Sequence, residues 1–119
     1  MLKKVLISMT TAVILLTGNP ARADNFESFL QGILTPEEAE VHQKIGNQRA
    51  IQLARQACNA LDSGMSVEDF VTQVSQSLVR EGVPQPQLQV RALYSGKVIA
   101  AGVANFCPQH MSELLQLQQ

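Results

Sequence analysis

Tryptophan is absent from this chain of 119 residues, tyrosine occurs once and phenylalanine four times. A core of large aromatic plates is therefore excluded. Whatever packs must be built from Leu, Val, Ile and Ala, a set that suits helices against helices. Cysteine occurs twice only, as Cys58 and Cys107. That rules out a Cys-x-x-Cys-His haem attachment and the closely spaced Cys-x-x-Cys pair of a redox dithiol. Also missing are a Gly-rich phosphate loop and a Gly-x-Ser-x-Gly nucleophile elbow. No nucleophile–base pair is visible, so no enzymatic role and no catalytic residue is expected. Internal repeats and low-complexity tracts are absent as well.

What is present begins with an export signal. Lys3 and Lys4 form a short basic start, Val5–Leu16 an apolar core, and Gly18, Asn19 and Pro20 a helix-breaking stretch. Ala21-Arg22-Ala23 then places small residues at the two positions a signal peptidase inspects, so residues 1–23 are expected to be a cleavable signal peptide. The apolar run is shorter than the roughly 20 residues a spanning helix needs, and no Cys follows it to carry a lipid. Residues 24–119 are expected to form a single helical domain, exported to the periplasm or the medium.

Cleavage changes the charge. Lys3, Lys4 and Arg22 leave with the signal, so nine basic residues become six against ten acidic ones, a net charge of −4. The six that stay (Lys44, Arg49, Arg55, Arg80, Arg91 and Lys97) are scattered. A nucleic-acid partner needs a basic stripe to neutralise phosphates, and an anionic membrane surface needs the same; neither is expected.

A domain of 96 residues buries a modest fraction of its surface. Two cysteines in an exported chain, each on an apolar helical face, read as one disulfide between Cys58 and Cys107. Closing a loop of 49 positions stabilises a fold by about 3–4 kcal/mol in the chain-entropy account, a large share of a typical domain's roughly 5–15 kcal/mol.

Along the mature chain the apolar spacing predicts helices throughout. Phe26, Phe29, Leu30 and Ile33 share one face of a first helix over 24–34, with Asp24 as its cap. Thr35-Pro36-Glu37-Glu38 is a capping box with proline at the first helical position, and its acidic residues, with Glu40, suit the positive end of the helix dipole. That helix runs to Ile45, with Val41 and Ile45 inward, and Gly46-Asn47 breaks it. The stripe Ala50, Ile51, Ala54, Ala57, Cys58 and Leu61 follows over 48–62, stopped by Gly64. Ser66 and Asp69 form a variant capping box ahead of Val67, Phe70, Val71, Val74 and Leu78, spaced i, i+3, i+4, i+7, i+11. Gly82 ends this helix, and Val83-Pro84-Gln85-Pro86 is extended. Residues 87–107 predict the longest helix, with one stripe of Ala92, Gly96, Ile99, Val103 and Phe106 and a second of Tyr94, Val98 and Ala101. Apolar residues on two faces imply a central, buried helix, with Gly96 and Gly102 admitting a close neighbour. A buried strand over 97–106 is the alternative, disfavoured because Ala and Gly are poor strand residues. Met111, Leu114 and Leu115 give a short last helix. The fold class expected is all-α, a small bundle of four or five short helices stapled by one disulfide.

Phe29-Leu30, then Cys58-Asn59-Ala60-Leu61-Asp62-Ser63-Gly64, then Cys107-Pro108 after the small-residue stretch Ala100–Ala104 make a spaced pattern. In it the chain resembles a group of small exported bacterial proteins, typified by mycobacterial examples and built around a domain of unknown function. The resemblance covers most of residues 26–108. It implies a helical two-cysteine fold and no mechanism.

Two functional readings stand beside each other. One is a non-catalytic interaction module that binds a protein or envelope component, without a cofactor. Its candidate contact residues are Leu88, Val90 and Leu93 after the proline linker, and Met111, Leu114 and Leu115 near the end, each of which can equally pack on the core. The other is a metal-binding protein using Cys58, Cys107, His110 and His42, since two thiolates and two imidazoles are enough for a tetrahedral zinc site. It requires the cysteines to be reduced; otherwise both histidines are ordinary surface residues.

Overall fold

The computed structural model describes residues 19–117. The basic start and apolar core of the expected signal peptide lie outside the described residues. Six α-helices follow one another: α1 (Asn19–Ile33), α2 (Pro36–Ile45), α3 (Asn47–Asp62), α4 (Val67–Arg80), α5 (Gln85–Phe106) and α6 (Met111–Leu117), with a 3₁₀ turn at Pro108–His110 before the last. There is no strand among the described residues. The fold is all-α as expected, with six helices rather than four or five.

The local signals act where their chemistry requires. Thr35 Oγ1 accepts from the Glu38 N–H at 3.2 Å and the Thr35 N–H donates to Glu38 Oε1 at 2.9 Å, closing the capping box of α2. Gly46, at φ 96°, turns the chain between α2 and α3 in a left-handed conformation that glycine adopts without cost. Ser66 Oγ accepts from the Asp69 N–H at 3.0 Å at the head of α4. Only this serine half of the box is formed among the described residues; the Asp69 side chain is a methylene shorter than glutamate. At the first helix the expectation needs correcting. α1 begins at Asn19 and carries Pro20 in its first turn, where a missing N–H costs nothing. Asp24 is therefore inside the helix rather than at its start.

Helix α5 is the spine. Its stripe Ile99, Val103 joins Cys107 with Ala57, Cys58 and Leu61 of α3 and Val67 and Phe70 of α4 in one buried cluster. Its other stripe, Tyr94, Val98 and Ala101, meets Phe26 and Leu30 of α1 and Ala50 and Ala54 of α3 in a second. Phe106 touches both clusters and stacks on Phe26 at 5.5 Å between ring centroids. Residues 97–106 are helix, so the strand alternative falls. α3 and α5 cross at Gly102, where a Cβ would stand 2.5 Å from the Ala54 Cβ. Gly96 meets no such neighbour, so only one of the two glycines serves a close approach. Just beyond α5, Cys107 is bonded to Cys58 with Cα atoms 5.8 Å apart.

The four apolar residues expected on one face of α1 divide. Phe26 and Leu30 are fully buried, whereas Phe29 is 45% and Ile33 38% exposed. Among the described side chains of α1, only Phe26 and Leu30 are buried against its neighbours.

Candidate functional site

The four residues of the metal reading are not brought together. Cys58 and Cys107 are spent on each other as a disulfide and offer no thiolate. His42 and His110 are each engaged elsewhere, and no group of three or more His, Cys, Asp or Glu suited to a metal occurs among the described residues. Neither histidine is the free surface residue of the other expectation.

His42 is buried on α2, one turn after Glu38, and its Nδ1 lies 2.6 Å from the Tyr94 hydroxyl of α5. With Nδ1 unprotonated the phenol donates. Burial pushes the Tyr94 phenol up to about 12, against the lowering influence of the Arg91 charge, so it stays protonated throughout the physiological range. Glu38 is also buried, and Lys97 Nζ of α5 donates to its Oε1 at 2.6 Å. Burial raises the Glu38 carboxyl, but the bonds from Lys97 and the Thr35 backbone, with the Lys97 charge, outweigh it and leave it below the ordinary 4.5. The pairs Glu38–Lys97 and His42–Tyr94 thus tie α2 to α5 through polar groups at i, i+4 on one helix and i, i+3 on the other. Sequence reasoning assigned Glu38 to the capping box and the helix dipole, and not to an ion pair with α5. The spacing of Glu38 and His42 on a face shared with neither Glu37 nor Glu40 was the signal available.

His110 sits between two carboxylates. Its Nε2 donates to Asp62 Oδ1 at 2.7 Å and its Nδ1 to Glu113 Oε2 at 2.5 Å. Two donating ring nitrogens mean the imidazolium, and these bonds, Asp62 first and Glu113 second, raise its pKa above 6.5 despite some desolvation. The cluster pins the 3₁₀ turn and α6 to the end of α3.

The remaining cations divide unequally. Lys97 is paired, Arg55 lies 4.7 Å over the Phe106 ring, and Arg80 donates to Ser77 Oγ at 3.1 Å. Lys44, Arg49 and Arg91 form no ion pair among the described residues. Arg91 and Ile45 line two adjoining cavities beside the amino-terminal half of α5, and the Arg91 Nε is buried with no hydrogen-bond partner. One cavity, about 300 Å³, lies against α2, with Val41, Lys44 and Val90 in its wall. The other, about 270 Å³, lies against α3 and α4, with Arg49, Leu53, Val74 and Leu78 in its wall.

Of the contact residues expected from sequence, Leu93 and Leu115 are 51% and 54% exposed. Leu88, Val90, Met111 and Leu114 are half-buried. Met111 and Leu114 pack on the Cys58–Cys107 cluster, which leaves Leu115 alone at that end. Exposed apolar surface and unpaired charge coincide instead along α5 from Val90 to Leu93. No helix among the described residues is long and apolar enough to cross a membrane.

Comparison with known families gives one match, over residues 24–109, to the family described as Protein of unknown function (DUF732). Among curated proteins and solved structures nothing matches.

Proposed function

Because the chain belongs to the DUF732 family of proteins of unknown function, its activity has to be read from its own surface, and we propose that it is an exported, non-catalytic module that binds a protein or envelope component along the amino-terminal half of α5. Residues 1–23 are its signal peptide, and 24–119 are the working domain. It stands with the mycobacterial-type exported members on Cys58-x-x-Leu61-x-x-Gly64 and Cys107-Pro108.

One observation carries the binding surface. Within four residues, α5 presents Val90 in a cavity wall, Arg91 without an ionic partner, and Leu93 half-exposed. Interfaces favour such a combination of arginine and apolar anchors over lysine-rich or purely polar surface. A disulfide that persists only in an oxidising compartment supports export.

A photo-reactive residue at position 93 tests the surface in producing cells. It is expected to give a discrete crosslinked species that a probe at Val79, 64% exposed on α4, does not give. Equal crosslinking from both positions would remove α5 as the contact face. Export is tested separately by the amino-terminal residue of protein recovered outside the cytoplasm, expected to be Asp24.

A further inference from the structure

We propose that the cavity between α3, α4 and α5 is a binding site for a small aliphatic carboxylate, held at its charged end by Arg49 and Arg91 and along its chain by Leu53, Val74 and Leu78. This site adjoins the α2 cavity, with which it shares Ile45 and Arg91, and its occupant is a small molecule rather than the protein or envelope partner proposed above.

Three helices each turn one stripe toward the cavity. α3 supplies Arg49 and Leu53, α4 supplies Val74 and Leu78, and α5 supplies Arg91. The wall thus joins two guanidinium groups and an aliphatic stripe to the neutral polar groups of Gln56, Ser77 and Ser95. Arg49 and Arg91 have no carboxylate partner among the described residues.

Arg91 adds a second observation. Its Nε is buried and has no hydrogen-bond partner. Buried polar groups are bonded as a rule, and an exception asks for a partner the fold does not itself supply. Guanidinium groups meet that need best with a planar carboxylate, which accepts two parallel N–H bonds.

The remaining walls narrow the chemistry. Glu81 lies on the same cavity without pairing to either arginine. Its charge opposes a dianion such as a phosphate monoester more than it opposes a single carboxylate. A volume of about 270 Å³ is at the small end for ligand pockets, so the chain is short. Sodium octanoate is the probe that combines these features.

The experiment is a titration of the purified oxidised protein, labelled with ¹⁵N, with octanoate, octanol and octylammonium in parallel. Octanoate is expected to bind saturably, with shifts centred on residues 49–53, 74–78 and 91, and to weaken as salt is added. Octanol and octylammonium are expected to bind at least tenfold more weakly. Arg49→Gln and Arg91→Gln should each weaken octanoate about tenfold or more. Glu81→Gln should tighten it severalfold, a gain that damage to the fold cannot produce. Octanol binding as well as octanoate, shifts centred elsewhere, no saturation at millimolar ligand, or Glu81→Gln leaving the affinity unchanged would overturn the proposal.

Discussion

Replacing Gly102 with alanine should destabilise the protein, although alanine is the better helix former. Alanine in place of glycine inside a helix gains about 1 kcal/mol of propensity. Here the new methyl would lie 2.5 Å from the Ala54 Cβ and 2.9 Å from the Ala54 Cα. Carbon atoms in contact prefer about 3.5–4.0 Å, so α3 and α5 must part by roughly 1 Å. Backbone stands on the far side, so no rotamer change relieves the overlap. Overpacking of this kind costs about 1–3 kcal/mol, and here the upper end applies. The disulfide holds α3 and α5 together one turn further on, at Cys58 and Cys107, which limits the parting. The net loss expected is about 1–2 kcal/mol once the propensity gain is subtracted. Gly96→Ala supplies the control, because nothing lies within 4 Å of the methyl it adds. It should stabilise by about 0.5–1 kcal/mol. Urea unfolding of the oxidised proteins reads both values. With a slope of about 1–2 kcal/mol per molar for a small domain, the two midpoints should differ by about 1–3 M. If Gly102→Ala proves as stable as the parent, the close crossing of α3 and α5 is refuted.

Three further outcomes are expected. Reduction of the Cys58–Cys107 bond, or its replacement by alanines, should lower stability by about 3–4 kcal/mol, read from the urea midpoint with thiols counted before and after. The Glu38 carboxyl is held below its ordinary 4.5 by Lys97 and Thr35, so its contribution is complete above that value and is lost as pH falls through the lowered one. Glu38→Gln keeps the capping box, should cost about 1 kcal/mol at neutral pH, and should flatten the acid limb of stability against pH. His110 works in the opposite sense: its pKa is raised by Asp62 and Glu113, so its contribution is complete below 6.5 and is lost as pH rises through the raised value. An imidazole proton titration by NMR should show this elevation, and Asp62→Asn should reduce it.

Much of this architecture can be read from residue order, and the failures share a cause. Proline, glycine and hydroxyl punctuation locates helix ends because caps are local chemistry, as at Thr35, Gly46 and Ser66. The two stripes of α5 are also legible, and each proves to serve its own cluster. What periodicity does not reveal is how wide a stripe the neighbours cover. Phe29 and Ile33 fit the apolar face of α1 as well as Phe26 and Leu30, yet only the latter are buried. The same holds for pairing across elements. His42 and Tyr94 are 52 positions apart, Glu38 and Lys97 59 apart, and nothing in either local segment announces the other. The cavity that gathers Arg49 and Arg91 is likewise a product of three helices meeting, and the scattered order of the basic residues conceals it.

The central place of α5 bears on how the fold comes apart. Both core clusters described above take one wall from residues 94–107. Helices of 10–16 residues are marginal by themselves in water. Loosening α5 therefore disturbs both clusters together, and neither can outlast the other. Unfolding is expected to be one cooperative step, in which probes placed in the two clusters lose their signals at the same denaturant concentration.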